Sequence, residues 1–164
     1  MTHEFRPYVM FINADNYKTN SINTDRLGFR KTINSKGLSI GLEQIKNNYE
    51  SCNIIIGNSA AFGTGNSSDS KTISSQLSQS DTFCQNLSVR AATGQQELII
   101  YLQFKRYFNK VKNIILLSGL NEVSVAAQKS SMFYPDFGGI FSEDLKFNTF
   151  WQQYIGFNEN KWEF

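Results

Sequence analysis

The chain has 164 residues, 40% of them apolar, with 16 Lys and Arg set against 14 Asp and Glu. That length supports a real core, and a net charge of +2 is too balanced to single out nucleic acid or an anionic membrane as partner. Two cysteines give neither a disulfide framework nor a metal-ligand spacing, so no cofactor or metal is expected. No basic n-region followed by an apolar h-region opens the chain, and no apolar run approaches spanning length. The expectation is a cytoplasmic protein.

Residues 1–37 read as an extended N-terminal lead-in. Tyr8–Ile12 has the makings of a short strand, and Asn23-Thr24-Asp25-Arg26-Leu27-Gly28 carries turn chemistry. Residues 38–164 form the second region. Leu42, Ile45 and Tyr49 lie at helical spacing within 39–50. A first core strand is predicted over about 53–57, where Cys52 and then three isoleucines run up to Gly57. A loop rich in Gly, Ser and Asn follows. Ser68 or Asp69 can cap the next helix, on which Ile73 and Leu77 share a face. A short strand is expected near 82–89, with Cys84 in it. A helix over roughly 95–109 places Leu98, Tyr101 and Leu102 together, with Lys105 and Lys112 toward its end, where cations suit the dipole. Lys105, Arg106, Lys110 and Lys112 read as the solvated end of that helix. A third strand is predicted over about 113–118. This alternation implies right-handed crossovers and a parallel sheet. Beyond Asn121 the pattern weakens, while 131–164 becomes rich in Phe, Tyr and Trp. That tail needs a surface to pack on, which points to self-association or a partner.

Two of the predicted strands end alike. Ile54-Ile55-Ile56 stops at Gly57-Asn58-Ser59, and Ile114-Ile115-Leu116-Leu117 stops at Ser118-Gly119-Leu120-Asn121. Both runs read as buried parallel strands. Active sites of open α/β sheets lie outside the carboxyl ends of strands. A serine after a glycine turn suits nucleophilic attack, and an asparagine amide suits a developing oxyanion. Polar residues follow strands in most α/β proteins, so it is the pair that carries weight.

These segments resemble the SGNH (GDSL-like) hydrolase superfamily. Gly57-Asn58-Ser59-Ala60-Ala61-Phe62-Gly63 is similar to the first block, and Asn86-Leu87-Ser88-Val89-Arg90-Ala91 to the second. Gly119-Leu120-Asn121-Glu122 is similar to the third, with Glu where Asp is usual. Asn23-Thr24-Asp25 and Gly28-Phe29-Arg30 look like the lead-in of a bacterial subset. The likeness spans about residues 22–125. It implies an α/β fold of three layers, α/β/α, with a flavodoxin-like parallel sheet. It implies a serine ester hydrolase acting on small acyl esters or acetylated carbohydrates. Ser59 would be the nucleophile, and the N–H groups of Ser59 and Ala91 with the Asn121 side chain would hold the oxyanion. Ala91 stands where the family has a glycine; Gly94 is the alternative assignment.

The family's Asp-x-x-His block has no counterpart in the sequence, whose one histidine is His3. The expectation is an incomplete SGNH domain, inactive by itself, continued by further chain. The competing expectation is a non-catalytic SGNH-like binding or assembly module. Nucleotide binding at Gly57–Gly65 is disfavoured, because no Lys-Ser or Lys-Thr directly follows the glycines and the third fingerprint glycine is missing.

Overall fold

Three consecutive β-branched residues, Ile54, Ile55 and Ile56, favour a strand that is covered on both sides. In the computed structural model, which describes residues 3–6, 9–80, 82–119, 121 and 123, they form the middle of a three-stranded sheet. The chain divides into two compact units, Met1–Asn121 and Glu122–Phe164, and all the named elements belong to the first. Glu122 and the aromatic stretch 131–164 lie outside the described residues.

The N-terminal section contributes two short antiparallel pairs. β1 (His3–Arg6) pairs with β2 (Met10–Asn13), and β3 (Thr32–Ile33) with β4 (Ser39–Ile40). Between them the Asn23–Arg30 turn is organised by Asp25. Its carboxylate accepts from the N–H groups of Leu27 and Phe29, both at 2.9 Å, and of Leu42 at 2.7 Å. Burial pushes the Asp25 carboxyl above its ordinary range, against the pull of those three bonds. The helix expected over 39–50 is confined to a 3-10 turn at Leu42–Gln44 and α1 (Ile45–Asn48).

The sheet has β5 (Cys52–Gly57) at its centre, flanked by β6 (Cys84–Asn86) and β7 (Val111–Leu117), all parallel. This is the α/β arrangement that the alternation of elements predicts. β6 is shorter than expected as a strand, yet bonding runs on past it: Leu87 N–H donates to Ile55 O (2.9 Å) and Val89 N–H to Gly57 O (3.1 Å). Ile54 and Ile56 share a core cluster with Phe29, Leu87, Val89 and Ile100, the last on α4 (Gly94–Phe104). Ile55 packs instead with Cys84 and with Ala61 of α2 (Ser59–Phe62).

Three features differ from what the sequence pattern suggests. On α3 (Ile73–Leu77), Ile73 and Leu77 are exposed, and Ser74 and Ser75 are buried. The serines win because they have partners: Ser75 Oγ donates to Asp69 O (2.7 Å) and accepts from Ile33 N–H (2.9 Å), while Ser74 Oγ meets Thr32 Oγ1 (3.2 Å). On α4 the buried side chains are Gln96, Glu97 and Ile100, whereas Leu98 and Leu102 face outward. Gln96 closes a capping box with Thr93 and donates to Val9 O (2.9 Å), which draws that face inward. The third is β7. It is parallel, but it is an edge strand among the described residues, and Ile114, Leu116 and Leu117 are exposed rather than buried. Lys105, Arg106, Lys110 and Lys112 are all exposed, but only Lys105 and Arg106 lie at the helix end, in the 3-10 turn after α4, while Lys112 belongs to β7.

Cys52 and Cys84 are free and almost fully buried, in the two separate clusters that line opposite faces of the sheet. Burial pushes their thiols up to about 11 and about 12. The thiolate is the reactive form, so neither cysteine should react with a disulfide reagent at pH 8 in the native protein. Both should react once the chain is unfolded in guanidinium. Stoichiometric reaction without denaturant would contradict this packing.

Candidate active site

The parallel register brings the carboxyl ends of the three strands to one edge. Gly57 is aligned with Leu117 on one side and accepts from Val89 N–H on the other. Ser59 lies two residues past Gly57, Ala91 two past Val89, and Asn121 four past Leu117.

The first block forms a tight strand-to-helix turn. Gly57 is obligatory by close approach: a Cβ there would collide with the Leu117 carbonyl oxygen and fall 2.7 Å from Ala61 Cβ. Asn58 is the N-cap of α2, and its Oδ1 accepts from Ala60 N–H (3.1 Å). Ser59 is therefore the first helical residue, and it is only half-buried. α2 ends after four residues at Gly63, which has φ +88°.

The second block is tied to the first by Asn86. Its Nδ2 donates to Ala61 O (3.1 Å), and its Oδ1 accepts from Ser88 N–H (2.9 Å). Asn13 braces the other side, donating to Gly28 O (3.2 Å) and Ser88 O (3.4 Å) and accepting from Arg90 N–H (3.4 Å). Ala91 has φ +63°, a left-handed conformation that glycine adopts far more readily. Gly94 is the first residue of α4.

The third block reaches across to the second. Asn121 Nδ2 donates to Ala92 O at 2.7 Å, which fixes the amide plane and uses one of its two N–H donors. At the end of β7, Ser118 Oγ donates to the buried carboxylate of Glu97 (2.8 Å). The structure thus joins the Asn121 side chain directly to the turn containing Ala91, and joins that turn's strand to the helix bearing Ser59. His3, which the sequence leaves in an irregular lead-in, sits in β1 with its backbone opposite Asn13.

The sequence pattern gives no role to Asn13, Arg30, Asn86 or Glu97, and it offers Asp69 only as a helix cap, whereas Thr72 is the residue that caps α3. Asn86 and Arg30 stand inside segments that carry the family resemblance, which was the one available signal. The partners of Asn13, Asp69 and Glu97 are remote in sequence and leave no local pattern. Among the described residues, no group of three or more His, Cys, Asp or Glu could hold a metal ion, and no helix is long and apolar enough to cross a membrane.

The left-handed Ala91 gives a stability prediction. Replacing Ala by Gly relieves roughly 1–2 kcal/mol of backbone strain and costs about 0.4–1 kcal/mol through the freer unfolded chain. Ala91→Gly should therefore raise the urea unfolding free energy by about 0.5–1 kcal/mol. A loss of stability would show that Ala91 is not held at positive φ.

The described unit is an α/β domain with a polar loop cluster at the carboxyl edge of its parallel strands. No protein-family model and no curated protein matches the chain.

Proposed function

We propose that this chain is an SGNH-type serine ester hydrolase domain of three-layer α/β/α build, acting on small acyl esters or acetylated carbohydrates. Ser59 is its nucleophile. The N–H groups of Ser59 and Ala91 and the remaining Asn121 amide N–H are its oxyanion donors. The observation that carries the reading is Ala91: at the position where the resemblance calls for glycine, the backbone has a glycine's φ of +63°. A short apolar side chain held in that conformation keeps the N–H direction while paying for it in strain, which functional sites tolerate. The bond from Asn121 to Ala92 O supports it further by fixing the amide beside the same turn. The catalytic base is not among the assigned residues.

A catalytically silent binding or assembly module built on the same frame is the second reading. What favours it is the single histidine, lying in β1 rather than at any of the three strand ends.

Added imidazole separates the two. With a fluorophosphonate probe, the hydrolase reading expects Ser59 to be labelled at a rate that rises with imidazole and vanishes in Ser59→Ala. The slope should fall at least tenfold in Asn121→Ala, since one oxyanion donor is worth about 10²–10³ in rate. No labelling of Ser59 at any imidazole concentration would leave only the binding module.

A further inference from the structure

The most heavily built feature outside the proposed catalytic groups is a buried ion pair beneath the Ser59 turn. Arg30 is 0% exposed and Asp69 6%. Arg30 Nε donates to Asp69 Oδ1 (2.7 Å), Nη1 to Gly63 O (2.7 Å) and Phe62 O (3.3 Å), and Nη2 to Ser21 O (2.6 Å). Its guanidinium carbon lies 5.4 Å from the centre of the Phe62 ring. Asp69 also accepts from Asn23, through Nδ2 (2.7 Å) and the backbone N–H (3.3 Å). A charge pair this deep is stabilising only when its donors and acceptors are matched, and here two of the matching acceptors, Phe62 O and Gly63 O, are backbone carbonyls at the end of one short segment.

That segment is α2. A helix of four residues leaves most of its carbonyls without helical partners. Ser59 O accepts from the N–H groups of Gly63 (3.1 Å) and Thr64 (2.9 Å), and Ala60 O also accepts from Gly63. Ala61 O is taken by Asn86, and Phe62 O and Gly63 O by Arg30. The last carbonyls of the turn are thus held by a planar fork fixed from the N-terminal section. We infer that Arg30 is a positioning residue for Ser59: it sets the orientation of α2, and through it the direction of the serine at the first helical position. The inference rests on the reading of Ser59 as nucleophile. Lysine could not reproduce it, because an ammonium is a point donor without the fixed fork.

The test uses the whole chain with Arg30→Lys. Two quantities are read: the imidazole-dependent rate of fluorophosphonate labelling at Ser59, and amide hydrogen exchange by mass spectrometry. The expected result is a labelling rate at least tenfold lower and exchange at least tenfold faster across 58–66, with exchange across 95–104 unchanged. Unchanged labelling would overturn the inference, and so would a rise in exchange that is uniform along the chain, which marks a merely structural loss. Should the variant fail to fold, native-state exchange of the unmodified chain in graded guanidinium decides instead. The Gly63 and Thr64 amides should then open in one step with those of Thr24 and Lys31; separate opening overturns it. If the unmodified chain is never labelled at Ser59, the nucleophile assignment fails, while the exchange measurements still decide whether Arg30 fixes the turn.

Discussion

Purified residues 1–164 are expected to hydrolyse p-nitrophenyl acetate no faster than their Ser59→Ala variant. At neutral pH an alcohol is a weak nucleophile unless a base removes its proton as it attacks. Removing the histidine from a serine triad costs on the order of 10⁶ in kcat, equivalent to roughly 8 kcal/mol of barrier. The oxyanion donors proposed here could return only a residual 10³–10⁴-fold acceleration over water, and a small activated ester makes even that hard to see above its own hydrolysis. The one imidazole in the sequence belongs to His3. Its strand is anchored by β2, and its backbone lies opposite Asn13, which is bonded to Ser88 and Arg90 of the second block. That neighbourhood makes His3→Ala the decisive companion. Robust turnover that disappears in both Ser59→Ala and His3→Ala would show that the N-terminal strand supplies the base. Robust turnover lost only in Ser59→Ala would place the base elsewhere.

Much of this frame is legible in the sequence, for identifiable reasons. The isoleucine run of β5 can be read because a strand covered on both faces needs apolar residues without alternation, and Ile54, Ile55 and Ile56 are all buried. The strand-to-loop breaks at Gly57 and Ser118 are equally plain. Side-chain burial on the helices is not. Ile73, Leu77, Leu98 and Leu102 sit at helical spacing yet face outward, because hydrophobic periodicity reports what could be buried, whereas the faces here are chosen by hydrogen-bonded partners of Ser74, Ser75 and Gln96. The same blindness covers the bracing of the candidate site. Asn13 meets Arg90 across 77 positions and Arg30 meets Asp69 across 39, and no local pattern encodes a contact that only the fold creates. Ala91 lies between these cases. Its position within the second block can be read, but its left-handed backbone cannot, since alanine gives no hint of positive φ.

Gly57→Ala should be severely destabilising. The cause is space. The added Cβ would overlap the Leu117 carbonyl oxygen and sit 2.7 Å from Ala61 Cβ, and the first of these is backbone that cannot rotate away. Gly57 and Leu117 are paired in the sheet, so relief requires β7 to move off β5 or the Ser59 turn to lift. Overpacking costs typically about 1–3 kcal/mol and occasionally more, and a clash with backbone belongs at the upper end of that range, against a total of roughly 5–15 kcal/mol for a typical domain. Gly65→Ala in the same loop is the control. Gly65 has φ +89° but nothing within 4 Å of the added Cβ, so its penalty is conformational alone, about 1 kcal/mol. Urea unfolding monitored by circular dichroism should therefore find Gly65→Ala folded with a slightly lower midpoint. Gly57→Ala should be either unfolded at 25 °C or shifted by several times as much. Equal midpoints for the two variants would mean that β5 and β7 do not approach at Gly57 as closely as the parallel register requires, and the shared edge on which Ser59 and Asn121 are placed would fall with it.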